Sequence, residues 1–254
     1  FMNLRFLWIG LVTVLSITSC IPNKDLVYLQ QQEDAQDTLQ FAHLVFDPLI
    51  RRNQKMQYMP RLAQRWQRID ALTTRFYLQA NVKFHSGNTL TSQDVAWTLE
   101  RLKRSVDYKG LFERVSHIKV IDETRFDLVT KSPYPLVLQL ASYLFVMDSA
   151  FYTGVDENGQ DKSKIEKRGD TFAASNTSGS GPYQVTLREQ GMQLKLTRFA
   201  DYWDRESSGN VKHLSLIPIK EPTTRLAALL SGDVDIITPV APLEFANLAD
   251  QPLF

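Results

Sequence analysis

The chain of 254 residues contains a single cysteine, Cys20, so no disulfide can form within it. Packing and hydrogen bonds therefore have to hold its fold together. Apolar residues make up 43% of the sequence and charged residues 22%, which is typical of globular proteins and excludes disordered, collagen-like and coiled-coil chains. The length suits one large domain or two small ones.

The charges are balanced, with 29 Lys and Arg against 28 Asp and Glu. The absence of a basic stripe argues against nucleic acid as the main partner. The four histidines lack the spacing of a metal-binding helix, and the sequence has no cysteine pair, no nucleophile elbow and no phosphate-binding loop ending in Gly-Lys-Ser/Thr. We therefore expect a binding protein that is not an enzyme and that needs no cofactor or metal.

The N-terminal end has the pattern of an exported protein. Arg5 is followed by the apolar and small residues FLWIGLVTVLSI at 6–17. A helix of this length spans about 18 Å, which is too short for a hydrocarbon core of about 30 Å but suits a secretory signal. The residues ITSC at 17–20 resemble the lipobox of bacterial lipoproteins, in which the cysteine is acylated. We predict a signal peptide at 1–19 and a lipid on Cys20; the alternative is a plain signal peptide with a chance cysteine.

Periodicity and turn residues predict an α+β chain of mixed element order. Strands are predicted at 26–29, 75–78, 82–84, 118–120, 126–128, 194–197, 214–216 and 234–237, with another beginning at Tyr183. Amphipathic segments with helical spacing are predicted at 38–50 and 62–66, helices at 91–104, 136–147 and 222–230, and at most one short charged helix near Lys164. The clearest helix start is Thr91, where the Asp94 carboxylate can reach back to the Thr91 amide in a capping box.

Seven motifs, in order, resemble those of the bacterial extracellular solute-binding proteins of family 5, which serve oligopeptide, dipeptide and nickel ABC importers. They are FDPLIRR (46–52), MPRLAQRW (59–66), TRFYL with VKFHSG (74–78 and 82–87), LTSQDV (90–95), GSGPY (179–183), DYW (201–203) and LLSGDVD (229–235). Each motif also has a structural role that needs no family to explain it. We therefore expect these motifs to mark the fold and not the ligand, with His85 in a turn and Trp66 in the core.

The resemblance implies a fold like that of the type II periplasmic binding proteins, in which two lobes close on a ligand and deliver it to a membrane permease. Residues 20–44 and 171–254 would form the first lobe, and residues 45–170 a subdomain inserted into it. A second lobe would follow Phe254 and is expected to be missing from this sequence. In peptide-binding members of the family, the charged residues that hold the peptide ends lie largely in that second lobe.

Within the lobe that is present, the loop after the first predicted strand is expected to face the cleft. Its residues are Gln30, Gln31, Gln32 and Glu33, where an extended peptide can pair with the backbone. Ser142 and Tyr143 are further candidates, from the inserted subdomain. The alternative for all six is an ordinary surface position.

The leading hypothesis is a monomeric, lipid-anchored receptor in the periplasm or cell envelope. It would bind small peptides and deliver them to an ABC permease; a metal chelate or another small solute is the variant within this class. A sensor or interaction protein without a transport role is the second class. The signal peptide disfavours a transcription regulator, and the lack of a catalytic set disfavours an enzyme.

Overall fold

The computed structural model describes residues 26–31, 42–166, 171–189, 191–207 and 210–240, the first of these ranges by its backbone only. The strands are β1 (Leu26–Gln31), β2 (Ile50–Arg52), β3 (Tyr58–Pro60), β4 (Ala63–Arg68), β5 (Thr73–Leu78), β6 (Val115–Asp122), β7 (Arg125–Thr130), β8 (Tyr183–Glu189), β9 (Gln193–Arg198), β10 (His213–Pro218) and β11 (Ile236–Ile237). The helices are α1 (Ser92–Arg104), α2 (Val137–Ser142), α3 (Phe172–Ser175) and α4 (Pro222–Ser231), with a further helical turn at 42–45. This mixture of helices and strands confirms the predicted class.

The first and last described parts of the chain share one five-stranded sheet of order β11-β1-β10-β9-β8. β1 lies between β10 and β11 and is parallel to both, whereas β8, β9 and β10 form an antiparallel series. Between β10 and β11 the chain passes through α4, whose Leu226 forms a buried cluster with Val234 and Ile237. The strand that is most distant in sequence, β1, is therefore an inner strand of the sheet.

The middle of the chain forms a second, antiparallel sheet of order β4-β5-β7-β6. Along β5, Thr74, Phe76 and Leu78 are buried and alternate with half-buried residues, as a sheet with one covered face requires. Phe76 stacks on Phe126 of β7 with a centroid distance of 5.4 Å. The core on the covered face includes apolar residues of α1 and α2, so it is largely separate from the core of the five-stranded sheet.

The predicted capping box is present at the start of α1. An Asp94 carboxylate oxygen accepts a hydrogen bond from the Thr91 amide at 2.8 Å. The other carboxylate oxygen accepts from the Ser149 amide and hydroxyl at 2.9 and 2.6 Å. The same side chain thus caps the helix and holds the segment that follows α2.

Several predicted elements are confirmed, namely the strands at 26–29, 75–78, 183, 194–197 and 214–216, the hairpin of 118–128 and the helix that begins at Pro222. The helical spacing at 62–66 is misleading, because this segment is β4 and its Trp66 lies opposite Phe76. Val82 and Phe84 are both buried, which explains their alternation, yet they belong to a loop with one β-bridge and not to a strand.

Other predicted elements differ in length or place. The helix predicted at 136–147 ends at Ser142, because the chain then turns and Phe145 forms a β-bridge with Pro48. The described residues around Lys164 are not helical, and a short helix lies later, at Phe172–Ser175. The last predicted strand is reduced to two residues, Ile236–Ile237.

Candidate functional site

Three parallel strand ends lie side by side in the five-stranded sheet. Gln31, the last residue of β1, is paired with Pro218 of β10, and Gln30 is paired with Ile217 of β10 and Ile237 of β11. Ligands of open α/β sheets bind outside the carboxyl ends of the strands, at the point where the strand order changes direction. β1 is such a point, since the chain places β10 on one side of it and β11 on the other. We call these five residues the strand-end edge.

The structure places two of the predicted site residues at this edge. Gln30 and Gln31 are the last two residues of β1, and their backbone pairing is defined. Gln32 and Glu33 lie outside the described residues, as does Cys20.

Ser142 and Tyr143 lie at the end of α2, on the core of the four-stranded sheet. The Ser142 hydroxyl donates to the Gln139 carbonyl within the same helix at 2.8 Å. The Tyr143 hydroxyl accepts from an Arg52 Nη2 on β2 at 3.4 Å, which is long for a hydrogen bond. Both side chains are half-buried and bonded to neighbours on their own part of the fold.

A buried ionic cluster joins the two sheets. The Asp47 carboxylate accepts from Arg61 Nε at 2.7 Å and from Trp203 Nε1 at 2.8 Å. Arg61 also donates to Asp204 at 2.5 Å and to the Tyr202 hydroxyl. Burial lowers the pKa of Arg61, but the charge of Asp47 and the groups beside it outweigh this effect, so its pKa lies above the usual value. Burial raises the pKa of Asp47 in spite of these partners. The cluster is therefore a hydrogen-bonded contact of ionisable groups in the interior.

His85 forms a second contact between the sheets. Its Nδ1 accepts from the Gly179 amide at 3.3 Å, and its Nε2 lies 3.0 Å from the Gly181 carbonyl. Because an amide N–H donates and a carbonyl accepts, these partners fit a neutral ring with its hydrogen on Nε2. Burial lowers the pKa of His85, in keeping with the neutral form.

A third contact surrounds the buried carboxylate of Asp148. It accepts from Ser86 at 2.5 Å, from Asn88 at 3.0 Å and from Ser178 at 3.0 Å. The Ser178 amide in turn donates to the Tyr152 hydroxyl at 3.0 Å. We call the three contacts together the junction; its residues are Asp47, Arg61, His85, Ser86, Asn88, Asp148, Tyr152, Ser178, Gly179, Gly181, Tyr202, Trp203 and Asp204.

The junction explains five of the seven sequence motifs. Residues of FDPLIRR, MPRLAQRW, VKFHSG, GSGPY and DYW meet there, and their polar groups bond to one another. His85 lies in a turn and Trp66 packs against the core, as predicted. Asp148 and Asp204 were not predicted, because an isolated aspartate beside apolar or aromatic residues gives no signal of its own.

No group of three or more His, Cys, Asp or Glu side chains among the described residues is arranged to hold a metal ion. No helix in the same part of the chain is long and apolar enough to cross a membrane.

Comparison with known proteins gives a family match over most of the chain. Residues 57–254 match the model of the bacterial extracellular solute-binding proteins, family 5 Middle. The nickel-binding periplasmic protein of Escherichia coli K12 is 24% identical over 226 residues, which cover 83% of this chain and 40% of that protein. The glutathione-binding protein GsiB of Shigella dysenteriae serotype 1 is 23% identical over 257 residues, covering 96% of this chain and 47% of that protein.

Solved structures show the same fold. A dipeptide-binding protein from Pseudoalteromonas sp. SM9913, in complex with Met-Leu, superposes with a TM-score of 0.76 at 18% identity, over 89% of this chain and 50% of that one. NikZ from Campylobacter jejuni, in complex with Ni(L-His), gives 0.75 at 19% identity, over 91% of this chain and 46% of that one. The chain thus has the type II periplasmic binding protein fold and spans about half the length of these proteins or less. With the family match, these findings show that the chain belongs to the bacterial extracellular solute-binding proteins of family 5.

Proposed function

We propose that this chain supplies the first lobe and inserted subdomain of a substrate-binding lipoprotein that delivers small peptides to an ABC permease, and that it has no enzymatic activity. The observation that carries the peptide assignment is the pairing of Gln31. β11 ends opposite Gln30, so on that side Gln31 extends past the end of its neighbouring strand. The backbone of Gln31 can therefore pair with an extended peptide as an added strand.

The proposed division of the chain follows the two sheets. Residues 20–44 and 171–254 form the first lobe, which is supported by the shared sheet of β1 with β8–β11. Residues 45–170 form the inserted subdomain, which is supported by the separate sheet of β4–β7. The junction then lies where the chain passes between the two parts, near Asp47 and Ser178.

Peptide binding is tested by an NMR titration of the ¹⁵N-labelled chain with a tripeptide mixture at millimolar concentration. We expect amide shifts confined to the strand-end edge, with weak affinity. Gln31→Ala keeps the backbone donor and should bind as the wild type does, whereas Gln31→Pro removes the donor and should not bind. Equal binding by both variants would contradict recognition through the backbone.

A metal chelate is the second candidate ligand, because two of the similar proteins bind nickel according to their names. The same titration with Ni²⁺ and L-histidine, and separately with reduced glutathione, distinguishes the ligand classes. Shifts at the strand-end edge with one of these probes and not with tripeptides would replace the peptide assignment. No shift with any probe would contradict a binding site on this lobe.

The lipid anchor is tested at Cys20. We expect Cys20→Ala to move the protein from the membrane fraction to the soluble fraction, because acyl chains on the cysteine supply the membrane affinity. Ser19→Ala is the matched control and should stay in the membrane fraction. Retention of Cys20→Ala in the membrane fraction would contradict lipidation.

A further inference from the structure

Arg225 is a buried cation whose described hydrogen bonds all go to backbone carbonyls. Its side chain is 2% exposed. Nη1 donates to the carbonyls of Ile219 and Lys220 at 3.2 and 3.0 Å, and Nη2 donates to the carbonyl of Pro239 at 3.2 Å. Nε is buried and has no hydrogen-bond partner among the described residues. Arg61, in contrast, bonds to two carboxylates.

The position of Arg225 in α4 makes this burial costly. A charged group loses its hydration when it is buried, and a cation in the first turn of a helix is opposed by the positive end of the helix dipole. Arg225 is the fourth residue of α4, so it lies in or next to that turn. An apolar side chain of similar length would fill the same space without either cost. The stability of α4 therefore does not explain an arginine here.

The three carbonyls belong to the two segments that flank the strand-end edge. Ile219 and Lys220 follow the last residue of β10, and Pro239 is two residues beyond β11. β10 and β11 lie on opposite sides of β1. Arg225 thus connects the segments that leave the sheet on either side of Gln31.

We propose that Arg225 is a positioning residue that fixes these two segments relative to each other and so sets the shape of the strand-end edge. Its role in ligand binding rests on the function proposed above. A guanidinium suits this task because its donors form a rigid planar fork that reaches several acceptors at once. A lysine ammonium is compact and would reach one segment, and a methionine has no donor.

The test uses hydrogen exchange in Arg225→Met, Arg225→Lys and the control Leu226→Ala. Leu226 is the next residue of α4 and packs on Val234 and Ile237, so its truncation loosens α4 and its contact with β11 without removing the three hydrogen bonds. We expect the amides of Lys220, Thr238 and Val240 to exchange about tenfold faster in Arg225→Met, because these segments open more often. The exchange rates in β4–β7 should not change. Arg225→Lys should fall between Arg225→Met and the wild type.

Two exchange results would overturn the proposal. One is wild-type exchange at these amides in Arg225→Met. The other is the same pattern in Arg225→Met and Leu226→Ala, which would mean that Arg225 only stabilises the packing of α4 on β11. If Arg225→Met does not fold, the comparison of Arg225→Lys with Leu226→Ala decides in the same way.

A titration with the tripeptide mixture separates this proposal from the proposed function. If the wild type binds the tripeptides, we expect Arg225→Met to bind them about tenfold more weakly than Leu226→Ala does, with the two variants compared at temperatures where they are equally stable. Equal affinity of the two variants would overturn the positioning role. If the wild type binds none of the probes, the proposed function fails. The exchange data then still decide whether Arg225 fixes the two segments.

Discussion

The junction and the strand-end edge are built from different kinds of group. At the junction, side chains such as Asp47, Arg61 and Asp148 bond to one another in the interior. At the strand-end edge, the described contacts are made by the backbone of β1, β10 and β11. Side-chain networks require particular residues, whereas backbone pairing accepts many. Five of the seven family motifs therefore contribute residues that hold the two sheets together, whereas the side chains of the proposed ligand site can vary.

The largest expected effect is the loss of Asp47. Its side chain is 2% exposed, and Asp47→Ala leaves Arg61 and Trp203 without their shared acceptor. We expect the free energy of unfolding to fall by about 3 kcal/mol, because Arg61 keeps only Asp204 as a carboxylate partner and the Trp203 N–H is left unpaired. Urea denaturation measures this change.

The matched control for Asp47→Ala is Glu100→Ala, which breaks the pair of Glu100 with Lys103 on the surface of α1. The Glu100 side chain is 59% exposed. Its loss should change stability by less than about 1 kcal/mol. Equal effects of the two substitutions would mean that the junction contributes no more than an exposed ion pair.

A smaller effect is expected from Gly181→Ala. A Cβ atom at this position would lie 2.5 Å from the Val45 carbonyl carbon and 2.7 Å from the Leu44 carbonyl oxygen. Both neighbours are backbone atoms and cannot rotate away, so we expect a loss of about 1–3 kcal/mol. Gly110→Ala is the control, since nothing lies within 4 Å of its Cβ position. A thermal melt that places both variants at the same midpoint would contradict the close approach.

Elements with strong local signals were predictable from the sequence. The capping box at Thr91 and Asp94 lies within four residues, and the Pro222 and Gly232 ends of α4 follow from local backbone preferences. β4 was not predictable, because its pairing with β5 overrides the helical spacing of its apolar residues. The same holds for the end of α2, where Phe145 pairs with Pro48.

The candidate site was predictable only as far as the backbone of β1. The place of Gln30 and Gln31 near the end of a strand was predictable because a strand end can be read locally, with the resemblance giving its position in the fold. Their role in ligand binding stays a prediction. Arg225 was missed because its role depends on carbonyls on both sides of α4, at Lys220 and Pro239, which only the folded chain brings together. The sequence showed the junction residues only as separate motifs. Their hydrogen bonds could not be predicted, because they join residues up to 156 positions apart.

The pH dependence of stability tests the His85 contact. Burial lowers the pKa of His85 below its usual 6.5, so the unfolded chain binds a proton more readily than the folded one. The stabilisation is therefore complete above about pH 6.5 and is lost as the pH falls from there towards the folded-state pKa. When the pH is lowered from about 7.5 to about 5.5, we expect the melting temperature of the wild type to fall further than that of His85→Gln. His117→Gln, at an exposed position on β6, should match the wild type; an unchanged slope in His85→Gln would contradict the neutral ring.

The smallest effect on stability is expected from Tyr143→Phe, which is best compared with Tyr152→Phe. The Tyr152 hydroxyl is a junction group that accepts from the Ser178 amide at 3.0 Å, and its side chain is 1% exposed. Its removal leaves a buried N–H unpaired and should cost about 1–3 kcal/mol without changing the affinity for the tripeptide mixture.

The Tyr143 hydroxyl has only the long contact of 3.4 Å with Arg52, in a half-buried place. Tyr143→Phe should therefore change the free energy of unfolding by less than about 0.5 kcal/mol. If Tyr143 contributes to the ligand site, as the sequence predicts, the same substitution lowers the affinity for the tripeptide mixture. Calorimetry and the NMR titration measure the two quantities on the same pair of variants. If Tyr143→Phe binds with wild-type affinity, this hydroxyl is not part of the ligand site. The backbone of the strand-end edge then stays as the proposed place of binding.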